Sequence, residues 1–226
     1  MKTIELIENL KKYPVFNLKK VKEIINKDNK YAKLVVHRIK KERLITKIEK
    51  NKYTAQKDII VVASNIIWPS YISCWSALRY HDLTEQLPEN IFIITTKAKK
   101  KSIINFNNNK IIFVKVVPKY FFGYNKEMYN NFEIFIADKE KAIIDSVILK
   151  KVSFSEICEI IKSNIEEINF NRLIEYLIKI KNKTIIKRFG FLLDYIKIDT
   201  KKLEKLIDSK YIVLDYSLKL KGKKNS

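Results

Sequence analysis

The chain has 226 residues, a formal net charge of +21 and 46% apolar residues; that apolar share excludes wholesale disorder, and the length allows one large domain or two modest ones. So large a cationic excess favours polyanions, either nucleic acid or an anionic membrane face, and bears on partners rather than on fold. A Lys-, Ile- and Asn-rich background composition is the competing explanation, but residues 1–54 hold sixteen Lys/Arg against six Asp/Glu, so the excess is densest near the N-terminus.

In chain order, Ile4, Leu6, Ile7 and Leu10 recur at helical spacing and predict a helix over 3–12, with Thr3 as its N-cap. Pro14 ends it. Asn17 is a good N-cap for a second helix over 18–26, whose apolar face is Leu18, Val21, Ile24 and Ile25. The Lys27-Asp28-Asn29 turn then offers Asp28 or Asn29 as cap for a third helix over 30–43. In that helix Ala32, Val35, Val36 and Ile39 form an inward stripe. Lys30, Lys33, Leu34, His37, Lys40 and Lys41 fall on the outward side, with Tyr31 and Arg38 at its margins. Residues 44–48 and 52–54 alternate apolar and polar around Glu49-Lys50-Asn51, a hairpin in which Asn51 can take a left-handed conformation cheaply. Helix, turn, basic helix and hairpin in that order predict a winged helix-turn-helix. The simpler account of its lysines is a solvated helix face.

After Thr54 the character changes. A buried helix over 58–67 is closed by Trp68-Pro69, and Ser73 is a candidate cap for a short helix reaching about His81. Strands are expected over 91–95, 103–106 and 110–117, with Asn107-Asn108-Asn109 as a turn, and residues 121–124 and 131–136 extend the sheet. Asp138 caps a helix to about Lys150, residues 153–209 read as mostly helical, and Tyr211–Asp215 reads as a short strand. The last residues, KLKGKKNS, are a charged tail. The expected fold class is therefore α+β: a winged helix over 1–56, a mixed α+β domain with a small sheet and a helical end over 57–218, and a basic tail over 219–226.

Three glycines rule out a Gly-rich phosphate loop or dinucleotide fingerprint. Cys74 and Cys158 are far apart in sequence and read as small buried hydrophobes of a reducing compartment, so neither a zinc site nor any other metal or cofactor is expected. The N-terminus has no secretory apolar stretch and the most apolar runs are too short to span a bilayer, so a cytoplasmic protein is expected. Trp68, Trp75 and Phe121-Phe122 are expected to fill the second core, with stacking on single-stranded bases as the alternative.

The residues expected at DNA are Lys30, Tyr31, Lys33, Leu34 and His37 in the first two turns of the third helix, which reach base edges, with Lys40 and Lys41 further along the same side. Lys47, Lys50 and Lys52 of the wing suit phosphates, which position a protein without reading sequence. Ser76 and His81 have the residue types of a nucleophile and base but lack a nucleophile elbow, so packing or helix capping by His81 is the better account. Asp138, Glu140 and Lys141 superficially suggest a metal-dependent nuclease; because they sit together at one helix start, capping plus a surface ion pair of Lys141 with Asp145 explains them better.

The segment YISCWSALRYHDLTEQLP (71–88), the strand IFIITT and then IADKEKAIIDSV (136–147) together resemble the AbiEi family of type IV toxin–antitoxin antitoxins, over nearly all of residues 13–150. The strongest pieces are Tyr71-Ile72-Ser73, Ser76-Ala77-Leu78, His81 with Leu83, Gln86 with Pro88, and Ala137-Asp138 through Glu140-Lys141-Ala142 to Asp145. Three positions depart from the pattern: Glu42-Arg43 before the wing, Asn51 at its tip and Asp82 after His81 stand where glycine is usual. The resemblance implies a non-enzymatic regulator that represses its own two-gene operon by binding promoter repeats. It further implies a C-terminal domain that counters a nucleotidyltransferase-like toxin without requiring a stable complex, with Ser73, Ser76, His81, Asp138, Glu140, Lys141 and Asp145 as structural motif residues. The competing classes are a nuclease-like enzyme targeted by a winged helix, and an adaptor whose sheet pairs with another protein. The basic C-terminal domain is also a candidate for a second nucleic-acid surface.

Overall fold

A computed structural model describes residues 2–215. The expected tail over 219–226 lies outside them. The fold is mixed α+β, with a two-stranded sheet and a six-stranded sheet. The chain divides into two compact units.

The first unit takes residues 1–72, 89–116 and 125–136. It opens with α1 (Thr3–Lys11), α2 (Leu18–Ile25) and α3 (Asn29–Lys41). Their inward residues Leu6, Leu10, Val21, Val36 and Ile39 close on Phe16 and Ile45 in one buried cluster. That helical spacing was legible in the sequence because a 3.6-residue period puts one apolar stripe on each helix. Asn17 accepts from the Lys20 amide at 3.0 Å and Asp28 from the Tyr31 amide at 2.8 Å, so both expected caps form. Thr3 is not a cap. It is the first helical residue, and the cap position belongs to Lys2, which has no acceptor to offer.

The hairpin follows as β1 (Thr46–Glu49) and β2 (Lys52–Thr54), antiparallel across Lys50-Asn51. It is strapped to the α1–α2 linker. Phe16 and Tyr53 exchange both backbone hydrogen bonds at 2.8 Å, and the Thr54 hydroxyl donates to the Pro14 carbonyl at 2.7 Å. After α4 (Ile59–Ser64), capped by Asp58, comes the six-stranded sheet. Its strands are β3 (Ser70–Ser73), β4 (Asn90–Thr95), β5 (Ile103–Phe106), β6 (Asn109–Lys115), β7 (Tyr124–Tyr129) and β8 (Phe132–Ala137), in the order β5-β6-β4-β3-β8-β7. Strand pairs β4–β6 and β3–β8 are parallel and β5–β6 is antiparallel. Residues 1–56, expected as a domain of their own, group with this sheet.

The second unit takes residues 73–88, 117–124 and, of the described residues, 137–215. It holds α5 (Trp75–Tyr80), α6 (Lys139–Ile148), α7 (Phe154–Ser163), α8 (Phe170–Ile180), α9 (Lys183–Tyr195) and the short α10 (Lys201–Glu204). Asp138, Asn169 and Asn182 cap three of these helices, and Ser153 with Glu156 forms a capping box on α7.

Several expectations are corrected. Ser73 ends β3 and does not cap α5; Cys74 holds the cap position without a side-chain bond. Of the expected strand over 121–124 only Tyr124 is in a strand: Pro118 starts a 3-10 turn through Tyr120, and β7 begins at Tyr124. Tyr211–Asp215 is irregular: the Arg188 guanidinium takes the Val213 carbonyl at 2.8 Å, an acceptor that a strand would have used. Trp68 fills no core; it is 55% exposed at the entry to β3, its ring 4.5 Å from that of Phe135. Trp75, Phe121 and Phe122 are only half-buried.

With so few glycines, the chain closes helices on other residues. After α3, Arg43 has φ of +57°, its amide donates to the Lys40 carbonyl and the Leu44 amide reaches back to Ile39 at 2.9 Å. That is a Schellman closure, which ordinarily uses glycine to avoid Cβ strain. Asp82, with φ of +57°, closes α5 in the same way, and Asn51 turns the hairpin with φ of +58°. All three positions where the sequence departs from a usual glycine are left-handed.

Candidate nucleic-acid interface

Helix α3 turns two unlike sides to its surroundings. Ala32, Val36 and Ile39 are buried, whereas Lys30, Tyr31, Lys33, Leu34, His37, Lys40 and Lys41 are all exposed. Leu34 is 59% exposed on that side.

Between α3 and the hairpin lies an open groove of about 480 Å³. Lys33, His37 and Lys40 line it from the helix, and Lys47, Lys50 and Asn51 from the hairpin. Its floor is the side of Leu18, Val36 and Tyr53. Asn51 fixes the far wall: its side-chain oxygen accepts from the Leu18 amide at 3.1 Å, tying the hairpin tip to the start of α2. Five of the ten residues expected at DNA therefore converge on one groove. Lys30, Leu34 and Lys41 stand outside it on the exposed helix surface, and Tyr31 borders a smaller cavity of about 140 Å³ with Leu6, Val35 and Arg38.

Lys52 is placed differently from its two neighbours. Its ammonium donates to the Ile66 carbonyl at 2.6 Å and pairs with Glu49 at 2.7 Å. Glu49 is held from its other oxygen by Lys99, whose ammonium also lies 4.7 Å from the centre of the Phe113 ring. Partial burial pushes the Glu49 carboxyl up, but the hydrogen bonds from Lys52 and Lys99 outweigh it and leave the group below its ordinary range. Lys52 and Lys99 thus anchor the hairpin. Sequence reasoning missed this pinning, and also missed the second cleft beside it, about 500 Å³, where Lys47 and Lys50 face Lys100 and Lys101. The run Lys99-Lys100-Lys101 was visible, but only the fold brings it to the hairpin.

The other group of singled-out residues forms a saturated buried cluster in the second unit. Lys141 is fully buried on α6 and ion-pairs with Asp145 one turn on, with its ammonium 5.0 Å from the centre of the Phe122 ring. The Ser73 hydroxyl donates to the other Asp145 oxygen at 2.9 Å. This overturns the expected surface pair: a buried pair is worth far more to disrupt than an exposed one. Gly123 is needed here, since its φ is +70° and a Cβ would come within 3.0 Å of Lys141 and Tyr176. Asp138 accepts from the Lys141 amide at 2.8 Å and from the Tyr176 hydroxyl at 2.6 Å. Burial pushes the Asp138 carboxyl above its usual range despite those two donors. Glu140 accepts from the Asn169 amide at 2.8 Å and meets Arg172 at 3.4 Å. The His81 ring nitrogen lies 2.7 Å from the Ala137 carbonyl at the C-terminal end of α5, and Ser76 is buried within that helix.

Among the described residues no buried side-chain nitrogen or oxygen lacks a partner, and no three His, Cys, Asp or Glu side chains converge as a metal site. An apolar cavity of about 490 Å³ also lies in the second unit, between Trp75, Phe154, Cys158 and Phe191. Burial pushes the Cys158 thiol there up to about 11, so it is protonated at neutral pH. Among the described residues no helix is long and apolar enough to cross a membrane. No protein-family model matches the chain, and no curated protein matches it.

Proposed function

We propose that the first three helices and the hairpin are a winged helix-turn-helix, that α3 is its recognition helix, and that the chain is a DNA-binding regulator of the type IV antitoxin kind. The observation that carries the DNA reading is the groove in which Lys33, His37, Lys40, Lys47 and Lys50 converge, none of them in an ion pair among the described residues. Four lysines without a counter-charge, lining a groove beside an exposed helix, suit the phosphates and base edges of a duplex. Leu34 on the same helix offers an apolar contact for a thymine methyl. The antitoxin reading rests on the sequence resemblance over 13–150. It implies repression of a two-gene operon, a cytoplasmic location and a nucleotidyltransferase-like toxin countered without a stable complex.

The test is binding of the full chain to its own upstream region over a salt series. With about six neutralised phosphates, log K falls with log salt at a slope of about −5. Lys33→Gln with Lys40→Gln weakens binding about tenfold or more; the phosphate left without Lys40 makes the slope shallower by about 1, and loss of Lys33 at the base edges relaxes the preference for the operator. An unchanged slope in that variant refutes α3 as the DNA helix. The antitoxin half is tested separately, by co-expressing the chain with the product of the adjacent gene and scoring growth. Metal-dependent cleavage of the bound duplex would instead favour the nuclease class.

A further inference from the structure

We infer that the duplex-binding surface does not end at the wing but continues across it onto the β4–β5 loop, where Lys100 and Lys101 take phosphates beyond the footprint of α3. This rests on the DNA reading above and adds to it the extent of the bound partner.

Two clefts carry the argument. The groove beside α3 and the cleft beside the β4–β5 loop share Lys47 and Lys50, so the wing is the ridge between them and its cations serve both. Lys100 and Lys101 are exposed and make no ion pair among the described residues. Both clefts lie within the first unit. The wing is also fastened to the loop, since Glu49 of β1 is gripped by Lys99 on one oxygen and by Lys52 on the other. That clamp does two things. It holds the loop lysines beside the wing, and it neutralises the acidic side chain in this cleft that would otherwise repel a phosphate. Cations lining two clefts that share Lys47 and Lys50, with the carboxylate beside them paired, are chemistry for an extended polyanion. It suits a duplex backbone better than a compact anion, which would need its donors convergent on one point. Lys99 is a positioning residue; Lys100 and Lys101 are the ones that touch phosphate.

The experiment compares the full chain with Lys100→Gln/Lys101→Gln on a long duplex and on one cut back to the α3 footprint, across a salt series. On the long duplex the variant binds about tenfold or more weaker and its salt slope is shallower by about 2. On the short duplex it matches the parent chain. The loss is equal for operator and unrelated sequence, because phosphates carry no sequence information. A control, Lys201→Gln/Lys202→Gln on α10, removes the same charge elsewhere and leaves the slope unchanged. Equal slopes for parent and loop variant on the long duplex overturn the proposal, as does an equal loss in the α10 control, which would reduce the effect to net charge. In either case Lys33→Gln/Lys40→Gln still reports independently on the DNA reading itself.

Discussion

Lys33 on α3 and Lys141 on α6 are the same side chain one turn from an interior position of a helix, yet they have opposite fates. The α3 lysines keep their ammonium groups in water and pair with nothing among the described residues, whereas Lys141 is sealed beneath Phe122 and matched to Asp145, whose other oxygen accepts from Ser73. An exposed cation costs the fold little and remains available to a ligand. A buried one is tolerable only with its counter-charge in place, so it serves the fold and is closed to a ligand. The comparison separates cations left open to solvent from a charge cluster closed within the fold.

The largest effect is expected where the buried cluster is broken. Asp145→Ala removes the buried counter-charge of Lys141 and lowers unfolding free energy by about 3–5 kcal/mol in chemical denaturation. Replacing both, as Lys141→Met/Asp145→Leu, restores most of that loss; a double variant as unstable as the single one would mean the cluster does more than neutralise its own charges.

Within the β1–β2 hairpin the contrast recurs over two residues. Lys52→Gln loses the Ile66 carbonyl and the Glu49 pair and costs about 1 kcal/mol of stability, discounted for partial exposure. Lys50→Gln leaves the melting temperature unchanged and makes the salt slope of DNA binding shallower by about 1. Interchanged outcomes would remove Lys52 from its anchoring role.

Arg43→Gly relieves the left-handed strain after α3 and raises stability by about 1 kcal/mol, less the entropy glycine adds to the unfolded chain, read as a higher melting temperature. The smallest effect is a pH dependence at Asp138. Its folded-state carboxyl lies above the ordinary value, so the folded protein favours the protonated form; this contribution is present below the unfolded value and lost as pH rises through the folded one. Asp138→Asn removes the charge; its oxygen still accepts from the Lys141 amide, and its NH2 donates to the Tyr176 hydroxyl oxygen in place of the bond that oxygen now donates. Its stability relative to the parent is therefore greatest near neutrality and declines towards acid pH. A difference flat in pH would contradict the assignment.

Much of this was legible from residue order. The expected N-caps Asn17, Asp28 and Asp138 all formed hydrogen bonds, whereas the Thr3 cap gave way to Lys2, because capping depends on a few neighbouring residues and their backbone. The three expected permissive positions took positive φ for the same local reason. Failures cluster where partners come from far along the chain. Ser73 looked like a cap because the sequence does not display Asp145, and Tyr211–Asp215 looked like a strand because it does not display Arg188. Trp68 was expected inside on hydrophobicity alone, and a large aromatic is often only partly covered.

The sequence by itself determined the helices, their apolar stripes, the turns and the cationic side of α3, since these follow from spacing and short-range hydrogen bonding. Tertiary structure alone decided which cations are used up and which are left over. Lys52 and Lys99 close on Glu49, Lys141 closes on Asp145, and Lys47 and Lys50 remain open beside two clefts. The physical reason is that a charge's role depends on its dielectric surroundings and its nearest counter-charge, and both are set by residues that only folding brings together.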